Sequence, residues 1–299
     1  MNENNNSNSL DNEIDLAELF SIIWNKKLFI SIFTSIAALI SVLYALYLPN
    51  IYTSSSLLAP TTEDNSLSSQ LGSFSGLAGL AGVSLPAGTI SNSQIAVKRI
   101  ESFEFFSKYF LPNIKLEDLM AVDEWDAKNN SLIYDDSEFN STSNEWSRKP
   151  SDQKAYKEYK RALSISQEEL TGLVYLSMKH KSPVVAQNWV DTIIYNINEC
   201  MREIDKQDAQ NSIDFLNESL KNTNSQSIKV VFAKLMESQM QTLMLASSNE
   251  AYVFKTINSP IVPEDKSSPS RALICILGTL LGGILSILIV LFRNFRQTS

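Results

Sequence analysis

Leu28 to Leu48, LFISIFTSIAALISVLYALYL, is a run of 21 residues without a charged side chain, and its reading decides the fold. As an α-helix it would be about 31 Å long, matching the roughly 30 Å hydrocarbon core of a bilayer. A second run of equal length, Ala272 to Phe292 (ALICILGTLLGGILSILIVLF), lies near the other end of the chain. Both read as membrane spans. The residues ahead of the first are acidic and polar (Glu3, Asp11, Glu13, Asp15, Glu18), and Leu48-Pro49-Asn50 offers no small-residue cleavage site. The first span therefore reads as a retained anchor rather than a signal peptide.

Working outward, Lys26 and Lys27 precede the first span, Arg293 and Arg296 follow the second, and no Lys or Arg follows the first span until Lys98. The positive-inside rule then predicts two cytoplasmic termini. Arg271 runs against the rule, but the second span's orientation is set by the first. The expected division is a cytoplasmic segment 1–27, a span 28–48, an outer domain 49–271, a span 272–292 and a cytoplasmic tail 293–299. Neither end is expected to hold a catalytic or signalling domain. The outer block carries 21 basic and 28 acidic residues, and the whole chain has a formal charge of -8 and a pI near 4.9. Nucleic acid is excluded as a partner, because neutralising phosphates requires a basic surface. Composition (44% hydrophobic, 19% charged) also excludes a wholly disordered polymer and a polytopic transporter.

Residues 1 to about 12, with Asn4-Asn5-Asn6-Ser7-Asn8-Ser9, read as disordered. Ile14, Leu16, Leu19, Phe20, Ile22 and Ile23 read as an interfacial helix leading into the first span. Beyond that span, Ile51 to Ala59 reads as a strand ending at Pro60, and Ala251 to Ile257 reads as another. Each lies within a few residues of a span, so a shared sheet at the base of the outer domain is expected. Val174, Leu176 and Met178 alternate with Tyr175, Ser177 and Lys179 in a third strand, partnered by Leu163-Ser164-Ile165-Ser166 across a loop with Thr171-Gly172. Ser93 to Phe110 shows mixed helical spacing. Ser182-Pro183 opens the longest helical signal, a capping Ser followed by Pro at the first helical position. Its stripe runs Val190, Ile194, Ile197, Met201, Ile204, then Ile213, Leu216 and Leu220, and 183–222 would be a rod of about 60 Å. After Asn222-Thr223-Asn224-Ser225, the residues Ile228, Phe232, Leu235, Met236, Met240 and Leu243 carry a second helix back. The fold class is α+β: two transmembrane helices flanking an outer domain whose sheet carries a long helical hairpin, with Ile194, Ile197, Met201 and Ile204 as candidate helix-packing residues.

No pattern points to chemistry, and no catalytic, cofactor-binding or metal-binding residue is assigned. His180 is the only histidine, which excludes a multi-His metal site; it reads as a polar strand-end residue. Glu168-Glu169 and Asp135-Asp136 read as solvated loop charge. No phosphate-cradling glycine loop occurs. Cys200 and Cys275 fall in an outer helix and in a span, so no disulfide framework is implied; Cys200 reads as a small buried apolar residue. The Gly-rich stretch Gly72 to Gly82 fits a loop packing against a neighbouring subunit or a lumen wall, with a plain surface loop as the alternative. Gly278, Gly282 and Gly283 form a small-residue seam on the second span that lets another helix approach closely: the first span, another subunit or a partner protein. Pro260, Pro263 and Pro269 make the outer approach to that span extended and stiff.

Asp15-Leu16-Ala17-Glu18-Leu19 with Trp24 and Lys26-Lys27, the Gly-Leu-Ala-rich Ser73 to Val83, Thr171-Gly172-Leu173, Ser182 through Val190, Pro260-Ile-Val-Pro263 and Pro269-Ser270-Arg271-Ala272 together resemble the Wzz family of chain-length determinants, the class 1 polysaccharide co-polymerases. The likeness covers nearly the whole chain except roughly 120 to 155. It implies a membrane-proximal α/β base with a long helix projecting into the periplasm, in a two-pass protein of the bacterial inner membrane. It further implies a homo-oligomer that performs no bond chemistry, uses no cofactor, and sets the modal length of O-antigen or a related surface glycan with a Wzy-type polymerase. The growing glycan and the lipid bilayer are the other partners implied. The tyrosine-kinase domain of capsule-exporting relatives is expected to be absent from the short tail. A capsule or exopolysaccharide export co-polymerase working with a separate kinase is the alternative.

Overall fold

The structure, a computed structural model, describes residues 24–61, 91–248 and 251–298. The leader 1–12, the interfacial segment 14–23 and the Gly-rich loop 72–82 lie outside the described residues. The chain divides into two compact units, one of Met1–Asn50 with Ser268–Ser299 and the other of Ile51–Ser267.

The described residues of the smaller unit form a pair of packed helices. Helix α1 spans Lys27–Tyr47 and is apolar on every face, so that nearly all its large side chains stay exposed in the isolated chain, as lipid-facing residues would. The partner helix at the other end of the chain begins at Arg271, whose Nη2 donates to Asn50 Oδ1 at 3.0 Å just beyond α1. Both helices are long and apolar enough to cross a membrane.

The larger unit begins with β1, Tyr52–Pro60. Helix α2, Asn92–Ile100, starts in a capping box: the Ser91 hydroxyl accepts from Gln94 N while Gln94 Oε1 accepts from Ser91 N. The expected helix over 93–110 is interrupted, because Ser102 recaps a short helix α3, Phe103–Phe105. That helix widens into a π-helical turn at Phe106–Phe110, and a 3-10 turn, Leu111–Asn113, follows around Pro112. Aromatic packing rewards the break. Phe106 and Phe110 bring their ring centroids within 5.1 and 4.7 Å of Tyr159, and Phe110 meets Trp189 edge-on at 5.9 Å.

Helix α4, Leu116–Met120, leads into two small hairpins, β2 (Val122–Asp126) with β3 (Ser131–Tyr134) and β4 (Phe139–Asn140) with β5 (Glu145–Trp146). The sequence shows no periodicity for these hairpins, and the cause is local. The strands run two to five residues, too short for a visible alternation, and the turns rest on Asx contacts. Asp126 Oδ1 accepts from Lys128 N at 2.8 Å, Asn140 Oδ1 accepts from Thr142 N at 2.9 Å, and Asn130 and Asn144 take positive φ. Helix α5 (Asp152–Ala162, capped by Ser151) precedes β6 (Leu163–Gln167), a turn with Gly172 at φ +71, and β7 (Val174–His180).

Helix α6 spans Pro183–Asn222 with Ser182 as N-cap, as the Ser-Pro signal predicts. Helix α7, Gln226–Ser248, returns along it. Strand β8 (Phe254–Asn258) completes an antiparallel sheet in the order β6-β7-β1-β8, and helix α8, Arg271–Thr298, carries the second apolar run. The core of the larger unit lies where Leu58, Val174, Leu176 and Met178 on one sheet face meet Trp189, Val190, Ile193 and Ile197 of α6. Burying each such side chain contributes about 1.5 to 3 kcal/mol, so the first half of α6 is held by the core.

Among the described residues, the second half of α6 packs mainly against α7. Ala209, Ile213 and Leu216 of α6 are buried, but among the described side chains of α7 only Ala246 is. The apolar stripe read for α7 is therefore only partly covered, since Ile228, Leu235 and Met240 stay exposed while Phe232, Met236 and Leu243 are half-buried.

Strand β8 begins at Phe254 rather than at Ala251. The reason is Asn198, buried on α6: its Oδ1 accepts from Val253 N and Phe254 N at 2.8 and 2.9 Å, and its Nδ2 donates to Phe254 O at 3.1 Å. The side chain satisfies the backbone that a longer strand would have paired.

Candidate functional site

The residues marked as contact candidates fall in three places. On α8, Gly278, Gly282 and Gly283 face α1. A Cβ at Gly278 would lie 1.9 Å from Ser41 Oγ, and one at Gly282 would lie 2.3 Å from the Cβ of Ala37. At Gly283 the nearest atoms belong to Thr34 and stand 3.9 to 4.0 Å away, an ordinary contact. Within this chain the seam brings the two spans together, since small residues let helix backbones approach in a medium that offers no hydrophobic drive. Ser41 and Thr279 donate to Ala37 O and Cys275 O at 2.8 and 2.6 Å, which satisfies their hydroxyls within their own helices.

Pro260, Pro263 and Pro269 lie on the connection between β8 and α8. The first part of this connection runs beside β1 after the ladder ends. Ser56 Oγ donates to Asn258 O at 2.7 Å, Ser54 Oγ to Ile261 O at 2.8 Å, and Ser267 N to Ile51 O at 2.8 Å. Gln187 Nε2 of α6 donates to Pro260 O at 3.2 Å. Prolines lack the N–H a strand would need, so the buried serines of β1 take over by bonding the carbonyls. The sequence reading missed Ser54 and Ser56, although their period-2 placement puts them on the inward face with Leu58.

Ile197 and Met201 are buried in the core of the larger unit, and Ile194 and Ile204 are half-buried against it. Cys200 beside them is 1% exposed, and burial pushes its thiol up, so it stays protonated and unreactive. Tyr109 donates from its hydroxyl to Glu203 Oε2 at 3.0 Å, and Tyr252 to Asp205 Oδ2 at 2.5 Å. Burial raises the Asp205 carboxyl above the ordinary range, and the Tyr252 hydrogen bond opposes this.

His180 closes β7 in a structural role. Ser182 N donates to its Nδ1 at 2.9 Å, so the proton sits on Nε2 and is donated to Asp118 O at 2.9 Å. The ring meets Trp189 edge-on at 4.7 Å, and burial lowers its pKa. Asp135 bonds Ser137 N within its own turn at 2.9 Å, and its carboxyl is lowered by the Ser137 hydrogen bonds. Among the described residues, no three His, Cys, Asp or Glu side chains converge on a point that would hold a metal ion.

Residues 12–108 match the Wzz family, described as chain length determinant protein, and residues 221–295 match the GNVR family, described as "G-rich domain on putative tyrosine kinase". No curated protein matches the chain. Among solved structures, a full-length bacterial polysaccharide co-polymerase is 14% identical, with 95% of this chain and 99% of that chain covered and a TM-score of 0.42. A fragment of WzzB, a polysaccharide co-polymerase from Salmonella Typhimurium, is 16% identical over 73% of this chain and 100% of that chain, with a TM-score of 0.28.

Proposed function

Because the chain carries a Wzz chain length determinant domain over residues 12–108 and so falls among the polysaccharide co-polymerases, we propose that it sets the modal chain length of a surface polysaccharide, O-antigen of lipopolysaccharide or a close relative. It acts without bond chemistry, as a homo-oligomer in the bacterial inner membrane, through contacts with a Wzy-type polymerase and with the growing glycan. Both termini face the cytoplasm, and 49–271 forms the periplasmic domain, which carries the four-stranded sheet and the hairpin of α6 and α7. The observation that carries this reading is the family match itself, which runs from ahead of α1 through β1 and α2, thus joining span, sheet and first helix of the base.

A second reading has its own support, since the match over 221–295 is to a domain found with tyrosine kinases. In it the chain works in capsule or exopolysaccharide export with a kinase on a separate polypeptide. One experiment separates the two. Deleting the gene in its native strain and restoring it on a plasmid, the lipopolysaccharide banding and the yield of secreted polysaccharide are measured together. Loss of modal banding that the plasmid restores is expected. Unchanged banding with reduced capsule would replace the first reading by the second.

A further inference from the structure

The two spanning helices enclose a cleft of about 440 Å³ at the end where α1 begins and α8 leaves the apolar run. Asn25, Lys26, Arg293 and Asn294 form its polar rim, and Phe29, Ile289 and Val290 its apolar floor. We propose that this cleft binds the phosphate headgroup of an anionic phospholipid, of the phosphatidylglycerol class, with the acyl chains running down over the floor.

Three observations carry the assignment. The first is charge. Lys26 and Arg293 approach the same cleft from different helices, and among the described residues that line it there is no carboxylate. Two cations sharing one cleft repel each other unless an anion sits between them. The second is donor chemistry. A guanidinium, an ammonium and the Asn25 carboxamide supply the N–H groups that phosphate oxygens take, and the guanidinium fits them in pairs. The third is depth. Lys26 is the residue before α1, Arg293 lies one residue past the uncharged run, and both stems can lie along apolar surface with their heads at the headgroup level.

Polar rim and apolar floor together select an amphiphile. A free phosphate would gain nothing from Phe29, Ile289 and Val290. A zwitterionic lipid would bring its own ammonium up to Lys26 and Arg293. Lys27 is placed differently, with its Nζ 5.0 Å from the centroid of the Trp24 ring and outside the cleft lining. It therefore gives a control of equal charge.

The full-length chain, purified in detergent, is incubated with phosphatidylglycerol or phosphatidylcholine of the same acyl length and retained lipid is counted by native mass spectrometry. The expected result is one retained phosphatidylglycerol per chain, with a preference of about ten-fold or more over phosphatidylcholine, given how strongly single basic residues act on anionic lipid. The double variant Lys26→Gln with Arg293→Gln should lose that preference. The charge-matched double variant Lys27→Gln with Arg296→Gln should keep most of it, and excess inorganic phosphate should leave the lipid bound. Equal retention of both lipids by the unaltered chain would overturn the proposal. So would equal losses in the two double variants, which would mean diffuse surface charge, or displacement by inorganic phosphate, which would mean a free-anion site. The thermal unfolding midpoint of each variant is read in the same detergent, and the comparison uses variants whose midpoints agree.

Discussion

At His180 a single proton links strand end, helix cap and pH. The ring is held neutral, accepting at Nδ1 from Ser182 N and donating from Nε2 to Asp118 O, and burial depresses its pKa. A depressed folded pKa means that the unfolded chain binds the proton more readily, so the His180 contribution is complete above about pH 6.5 and is lost as pH falls below it. Scanning calorimetry of the full chain in detergent should show the larger unit unfolding at lower temperature at pH 5.5 than at pH 7.5, and His180→Gln should reduce that difference. Equal slopes in the two proteins would show that other groups set the pH response. Asn198 is the second critical residue. Asn198→Ala leaves two buried backbone N–H groups without an acceptor and is expected to cost about 2 to 4 kcal/mol, read as a fall in the same unfolding midpoint. Its importance was visible in the sequence only as a polar residue inside an apolar helical stripe.

Elements show where close packing decides. On the seam between α1 and α8, Gly282→Ala would put a methyl group 2.3 Å from Ala37 Cβ, so the helices must separate. A loss of about 1 to 2 kcal/mol is expected, seen as a drop of a few degrees in the unfolding midpoint of the detergent-solubilised chain. Adding Ala37→Gly should restore most of it, whereas Gly283→Ala alone, with 3.9 Å to its nearest neighbour, should be nearly silent. If Gly282→Ala were as silent as Gly283→Ala, the seam would not be held at this distance. On α6, Ile197→Asp would place an unpaired carboxylate in a fully buried position among Trp189, Ile193 and Met201. The cost is several kcal/mol, enough to prevent folding of the larger unit, and protease resistance of the membrane-bound protein should be lost.

For the whole molecule, the charge pattern around the two apolar helices leads to a test of topology. Reporter fusions near Asn5 and after Ser299 are expected to report cytoplasm, and an insertion at the turn between β4 and β5 should report periplasm. An external C-terminus would remove the proposed function along with the topology. The hairpin of α6 and α7 has a related consequence, because it leaves apolar side chains exposed, among them Phe215, Val230, Val231 and Met244. The proposed homo-oligomer would cover these positions with neighbouring copies. Val230→Asp with Met244→Asp should therefore lower the particle mass measured by light scattering while leaving the unfolding midpoint of the larger unit within a degree or two.

Sequence alone determined the features whose causes are local. Uninterrupted apolarity marks α1 and α8; alternation marks β7; a Ser-Pro pair followed by 39 residues without Gly or Pro marks α6 from end to end. Tertiary structure decided what depends on partners distant in the chain. The start of β8 moved because Asn198, more than fifty residues earlier, takes its backbone hydrogen bonds. The glycines of α8 lie against Ser41 and Ala37, more than two hundred residues away, a contact no local pattern specifies. The two short hairpins have too few residues to carry a period, and the cleft at Lys26 and Arg293 exists because two separate helices end side by side. Periodicity and capping act over one or two turns of chain, whereas a shared hydrogen bond, a close approach or a lined cleft forms only when segments far apart in sequence are brought within a few ångströms.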